Sequence, residues 1–519
     1  MVRAGTLFRS STLVHRGSST KTGAPRPAPP ATSPQPAPRR RRRLRVAARV
    51  GLGGVSWALL MLAVLLATAA TFWVALAVVL LESAPQGKAI LSLVVVLAIA
   101  AAMFWLLGRY VTTRRIVGRV VTVAVTALLL AGAVWAASHR DDALFVARDM
   151  AWGESDVLDY QKFPSRPVHN GAQVFRFKSD PTPERFQTIK YTVDGEAKEA
   201  AFGDFLRSTN TTSFIVVKDG AVVYERYLNG YKRDSIVTSF SMAKSVTSAL
   251  VGIAIDDGYI GSVNDPVIDY LPELRGRGYE DITIRDLLLM STGIKFVQDE
   301  DLSGLQDLWP FASDVALAYS YPNLRRLVLH LPSSKEPVGA AFNYNPYHPI
   351  LLGMILERTT HRPVAKYLQE KLWQPLGMEY PASWSLDSKS DGFEKMESGL
   401  NARAIDFAKL GQLFLDDGRW NGKQVISKQW VTESTSPDPR DRRPFLSYSD
   451  WRVAGGYYKY MWWGMRTAGG GYYYNASGHL GQRIVVFPND RLVIVRFGRN
   501  EEGVDSWDKV IETIAAKVR

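Results

Sequence analysis

Three stretches of this chain, residues 50–81, 89–108 and 120–138, contain no Asp, Glu, Lys or Arg. A helix crosses the hydrocarbon core of a bilayer with about 20 apolar residues, and inside that core its backbone must satisfy itself. The three runs therefore predict three transmembrane helices. The first is too long for one upright span and too short for two, so one tilted helix is expected, with its Gly-rich start "VGLGG" at the interface. A cleaved signal peptide would have a shorter apolar core and no further spans behind it. No run carries an ionisable group of the kind that marks an ion or proton pathway, so these spans read as an anchor.

Orientation follows from Lys and Arg in the short flanks. Arg39–Arg43, Arg45 and Arg49 precede the first run. Lys88 alone stands in the first loop, and Arg109, Arg114, Arg115 and Arg119 stand in the second. Arg140 follows the third run beside Asp141 and Asp142. The alternation places the N-terminus in the cytoplasm and everything after about residue 139 outside, with the protein in the cytoplasmic membrane.

The net charge of +13 belongs to one tail. Residues 1–49 hold twelve Lys/Arg and no acid, which leaves about +1 (13 − 12) for the remainder. A nucleic-acid partner is not expected, because the folded part has no basic surplus. The tail, with "GAPRPAPPATSPQPAPRRRRR", is Pro-rich without apolar periodicity and is expected to be disordered. The chain has no cysteine, which excludes disulfides, thiolate metal sites and a cysteine nucleophile. Its seven histidines show no metal-ligand spacing, so no metal is expected. The expected organisation is a basic tail (1–49), a three-helix anchor (50–138), a membrane-proximal connector that begins irregularly (139–200) and a large outer domain (201–519).

In the outer domain, "SFIVVKDGAVVYERYL" (213–228) alternates on both sides of Asp219-Gly220, a hairpin pattern. "RIVVFPNDRLVIVRFG" (483–498) predicts a second hairpin. Helices are expected from Ser241 to about Asp257 and over 282–293, 349–360, 404–418 and 506–518. Strands early and late with helices between them, and a helix last, predict an antiparallel sheet assembled from both ends and flanked by helices. The aromatic stretch "YYKYMWWGMRTAGGGYYYNASG" (457–478) reads mainly as sheet core, with part of it beside a pocket.

Serine and lysine three apart occur three times: Ser18/Lys21, Ser241/Lys244 and Ser506/Lys509. The spacing alone is cheap. Around Ser241 the company is apolar, "SFSMAKSVTSALVGIAI", and a lysine aimed into it is costly without a partner or a task. Position i+3 sets Lys244 on the same helix face as Ser241, whose place at the helix start offers free N–H groups for an oxyanion. Desolvation lowers a lysine pKa and makes it a base for the hydroxyl. Two readings stay open from the spacing: a nucleophile with its base, or a capped helix with a snorkelling lysine.

"SFSMAKSVTSALVGIAIDDGYIGSVNDPVIDYLPEL" (239–274), "ITIRDLLLMSTGI" (282–294), "FNYNPYHPILLGMILE" (342–357), "GLNARAIDFAKLGQLFLDDGRWNGKQVIS" (399–427) and "SGHLGQRIVVFPNDRLVIV" (477–495) follow one another here. In that order they resemble the penicillin-recognising serine hydrolases, a family that includes class C β-lactamases, DD-peptidases, esterases and aminohexanoate-dimer hydrolases. The resemblance covers about 205 to 519. It implies a serine β-lactamase-like α/β (α+β) fold, with an antiparallel sheet, flanking helices and an all-helical region. It implies Ser241 as nucleophile, Lys244 as its partner and Tyr344 as a phenolate held by Lys244 that relays the proton. The backbone N–H groups of Ser241 and Gln482 would form the oxyanion hole. His479 would stand where the third motif usually has lysine, and Gly481 would let a substrate approach the strand.

Two departures follow from the same alignment. The second-motif asparagine position is Pro346, with Asn345 one residue early, and His479 replaces the lysine. Both point away from a β-lactamase and towards esterases, peptidases or amidases of the aminohexanoate-dimer hydrolase type. "ARDMAWGESDVLDYQKFPSRPV" (147–168) resembles the N-terminal part of those enzymes as well. The expectation is a membrane-anchored hydrolase of amides or esters in small-molecule or short peptide substrates, working without a cofactor. The rivals are a cell-wall DD-peptidase or β-lactamase, and a degenerate binding or regulatory domain.

Overall fold

The computed structural model describes residues 132, 138–296, 314–332, 336–467 and 469–519. The basic tail and the three expected spans lie outside the described residues, apart from Gly132 and Ser138. Among the described residues no helix is long and apolar enough to cross a membrane.

The main sheet has eight strands, named here in chain order. They are β1 (Lys178–Ser179), β2 (Thr211–Lys218), β3 (Ala221–Tyr227), β4 (Gly456–Lys459), β5 (Trp462–Arg466), β6 (Tyr472–Gly478), β7 (Gln482–Phe487) and β8 (Leu492–Gly498). Their spatial order is β4-β5-β6-β7-β8-β2-β3-β1, antiparallel except for the β1/β3 edge pair. The C-terminal β8 lies beside the early β2, pairing Ile494 with Val216 and Val495 with Ile215. This is the sheet closed from both ends that the hairpin patterns predicted. The first hairpin turns at Asp219 and Gly220, both with positive φ (49° and 77°), a conformation that Asp tolerates and Gly adopts freely.

Both sheet faces are buried, and alternation sorts the side chains between them. Ile215, Val217, Val493 and Val495 face one cluster, while Phe214, Val216, Leu492 and Ile494 face the other. Helix α6 (Trp507–Val518) covers the second face with Trp507, Val510, Ile511 and Ile514. The first face carries helices α2 (Met242–Asp256) and α5 (Ala404–Leu415), and α4 (Tyr347–Thr360) packs on α2. Thirteen of the fifteen residues of α2 are buried, so Lys244 has no path along which to snorkel. Gly252 of α2 is required by packing, since a Cβ there would lie 2.4 Å from the Trp430 ring.

A second sheet of four strands, in the order Ser165–Val168, Ala382–Ser385, Leu400–Ala402, Val237–Thr238, leads into the site. Its last strand runs directly into Ser239, whose N–H donates to Leu400 O at 2.9 Å.

Residues 139–200 differ from expectation. They begin with a regular helix, α1 (Arg140–Trp152), and not with irregular chain. Arg148 on α1 is buried and donates to Asp387 O (2.6 Å) and Ser320 O (3.3 Å). The same stretch supplies β1 and the Ser165–Val168 strand. The stretch expected as helix over 282–293 contains only the five-residue helix Ile284–Leu288, capped by Thr283.

Candidate active site

Thr238 to Ser241 forms a tight turn from strand to helix. Phe240 has φ +47°, a left-handed conformation that costs a bulky residue energy and is held here by its surroundings. Its ring stacks on Tyr319 (centroids 6.5 Å) and meets His479 edge-on at 5.5 Å. The turn lifts Ser241 to the position preceding α2, where its carbonyl accepts from Lys244 N–H at 3.0 Å.

Lys244 Nζ donates to Ser241 Oγ at 2.9 Å and to Glu397 O at 2.8 Å. Its side chain is buried, 3% exposed. Desolvation pushes the ammonium down to about 7, and the Glu397 carboxylate pulls the other way. The ion pair Lys395–Glu397 lies behind it, at 2.6 Å.

Tyr344 lies in the loop before α4, with its N–H on Ser447 Oγ at 2.9 Å. Lys244 Nζ stands over its ring, 5.1 Å from the centroid. Burial pushes the phenol well above its ordinary range, and a hydrogen bond with Ser241 only partly opposes this. The phenolate that the resemblance implies is therefore disfavoured. A charged phenolate is costly in a half-buried ring site whose lysine is itself desolvated. Trp463 tilts against Tyr344 at 5.3 Å and Tyr448 meets it edge-on at 5.8 Å, so part of the aromatic stretch does border the site. Most of the stretch, including Tyr458, Tyr460, Trp462 and Tyr474, is core.

Asn345 is committed elsewhere. Its side chain accepts from Tyr347 N–H (2.9 Å) and donates to Ile294 O (3.3 Å), starting α4. Pro346 occupies the position preceding that helix.

The β6–β7 turn approaches the nucleophile through Gly478. A Cβ on Gly478 would lie 2.3 Å from Ser239 O and 3.2 Å from Ser241 N. Gln482 sits across the ladder from Gly478, and its buried side chain is turned to Gly498, donating at 2.7 Å and accepting at 3.1 Å. His479 is exposed, with its ring against Phe240 beside the nucleophile. Gly481 has a structural part that sequence did not reveal. Its φ is +80°, its carbonyl accepts from Arg496 Nη1 at 2.9 Å, and a Cβ would lie 1.9 Å from that nitrogen. The missing side chain makes room for a buried arginine.

Sequence reasoning missed Glu397, Lys395, Gly478, Ser447 and Arg496. The other Ser-x-x-Lys in the described residues shows the bland outcome: Ser506 Oγ accepts from Lys509 N–H and caps α6. Ser18/Lys21 lies outside the described residues. Among the described residues no cluster of His, Cys, Asp and Glu could hold a metal ion.

The chain is 28% identical over 301 residues to a 6-aminohexanoate-dimer hydrolase of Paenarthrobacter ureafaciens, covering 56% of this chain and 73% of that protein. A solved structure from Bacillus anthracis, provisionally named a 6-aminohexanoate-dimer hydrolase, shares the fold. Its TM-score is 0.58 at 23% identity, over 70% of this chain and 92% of that one. The family model described as Beta-lactamase matches residues 199–516, well over half the chain. The protein belongs to the beta-lactamase family of serine hydrolases.

Proposed function

We propose that this protein is a membrane-anchored amidase or esterase that works through an acyl-enzyme on Ser241. The observation that carries the reading is the 2.9 Å hydrogen bond from a buried, desolvated Lys244 to Ser241 Oγ. Ser241 Oγ attacks the substrate carbonyl carbon and its proton passes to neutral Lys244. The oxyanion takes the N–H of Ser241 and an amide of the 478–482 turn, the segment that includes Gln482. When the carbon–nitrogen or carbon–oxygen bond breaks, neutral Tyr344 gives the leaving group its proton and is reprotonated by the Lys244 ammonium. Water then attacks the acyl-enzyme, which releases the acid and restores the serine.

Amides of small amino-acid-like units are the favoured substrates. Asn345 is occupied in starting α4, and His479 stands where a β-lactamase would have a lysine. A relative that hydrolyses the 6-aminohexanoate dimer supports the same choice. The three uncharged runs and the alternation of their basic flanks support an anchor with the catalytic domain outside the cytoplasmic membrane.

A fluorophosphonate probe tests the nucleophile. The expected result is labelling of the wild type and none of Ser241→Ala; equal labelling of both removes Ser241 from the chemistry. Protease added to intact cells should digest residues 139–519, and protection of that region would reverse the orientation.

A further inference from the structure

We infer that Lys395 and Glu397 form a buried positioning pair that holds and tunes Lys244. The inference rests on the reading of Lys244 as the base.

Glu397 meets two lysines with two different groups. Its backbone carbonyl accepts from Lys244 Nζ at 2.8 Å, while its carboxylate Oε1 accepts from Lys395 Nζ at 2.6 Å and Ser398 Oγ at 2.8 Å. Both side chains are almost fully enclosed, at 1% and 4% exposure. The other carboxylate oxygen, Oε2, is buried with no hydrogen-bond partner. An ion pair so placed costs desolvation that a pair of apolar residues would avoid. Stability alone gives little reason to keep it one carbonyl away from the base.

Lys395 is tied down by several further contacts. Lys395 Nζ also donates to Tyr319 O (2.6 Å) and Ala318 O (3.4 Å), on helix α3 (Asp314–Ser320). Its backbone N–H donates to Ser385 O at 2.9 Å, and its carbonyl accepts from Trp384 Nε1 at 2.9 Å and Gly399 N–H at 2.7 Å. Tyr319 in turn stacks on Phe240, the strained residue before the nucleophile. Lys395 therefore fixes the Glu397 carbonyl on one side and the support of the Ser241 turn on the other. The charged groups around it are Glu397, Asp387 and Arg148, with the Phe163 and Tyr319 rings over the ammonium. Lys244 faces Ser241, the Tyr344 ring and the Glu397 charge.

The two members act on Lys244 with opposite sign. The Glu397 carboxylate favours the charged lysine, and the Lys395 ammonium offsets that carboxylate. Glu397→Gln keeps the backbone carbonyl and removes the negative charge, so the acid limb of kcat/KM moves down by about one pH unit. Lys395→Met leaves the carboxylate uncompensated, so the limb moves up by a similar amount. A scaffolding role alone would lower kcat in both variants and leave both limbs in place.

The experiment compares pH profiles of kcat/KM with an NMR titration of [13Cε]lysine at Lys244 in a Ser241→Ala background. Opposite shifts of the Lys244 resonance midpoint support the pair; unchanged midpoints, or midpoints moving the same way, overturn it. If the NMR midpoints move and the kinetic limbs stay, the pair stands and Lys244 is not the base. Should the single variants fail to fold, Lys395→Met/Glu397→Gln leaves no buried charge unpaired in the pair. Its Lys244 midpoint is expected below wild type, and a wild-type midpoint overturns the inference.

Discussion

Lys244 should make this enzyme's activity rise through neutral pH. A free lysine with a pKa near 10.4 is neutral in only about one molecule in 2,500 at pH 7. Desolvation in α2 brings Lys244 to about 7, so about half the molecules carry a neutral amine there. For this buried side chain, the drop from the ordinary lysine value to about 7 is worth about 5 kcal/mol between its two protonation states. The sign follows from the chemistry. The base is competent when deprotonated, so kcat/KM climbs about tenfold per pH unit below the midpoint and levels off above it. Hydrolysis of a p-nitrophenyl ester, followed in stopped flow from about pH 5 to about pH 10, reads the limb directly. Lys244→Ala should lose about 100-fold to 10,000-fold and, with it, the limb near 7. It also leaves Glu397 O without its donor, a cost of about 1–3 kcal/mol that thermal unfolding measures separately. A wild-type midpoint near 10, or a Lys244→Ala protein with normal turnover, would refute the reasoning.

Tyr344→Phe removes the proton for the leaving group and keeps the ring packed on Trp463. Amide hydrolysis should fall about 100-fold or more, while esters with a good leaving group lose far less; parallel losses on both substrates would remove Tyr344 from that role. Gly481→Ala should lower stability by about 1–3 kcal/mol, because the new Cβ meets the Arg496 guanidinium at a left-handed φ. A melting temperature unchanged from wild type would contradict this account of Gly481.

The parts of the site that were legible in the sequence are those whose signal is local. Ser241 and Lys244 are one helical turn apart inside an apolar run, and the two hairpins alternate around turn residues. The family order of blocks then picked out Tyr344. The illegible parts are contacts made across long separations. Glu397 reaches Lys244 over 153 residues, and Arg148 reaches Asp387 over 239. Nothing near Glu397 distinguishes it from a surface glutamate, because its burial comes from elements elsewhere in the chain. The structural part that Gly481 plays was hidden for a similar reason. A glycine beside a motif suggests substrate access, but the group that fills its space is an arginine fifteen residues further on. Helix α1 was unreadable as part of the domain because Arg148 docks it on two distant carbonyls, one at the end of α3 and one in a loop.

That docking changes where the catalytic body begins. Arg148, the Ser165–Val168 strand and β1 are stitched into the same sheets and loops that carry Ser241 and Glu397. A chain cut at residue 199, where the family match starts, would lose an edge strand from both the eight-stranded and the four-stranded sheet and orphan the carbonyls of Ser320 and Asp387. The segment between the last uncharged run and the hydrolase is thus no slack tether. Residue 140 and the nucleophile belong to one packed fold, and the catalytic body starts about sixty residues before the family match does.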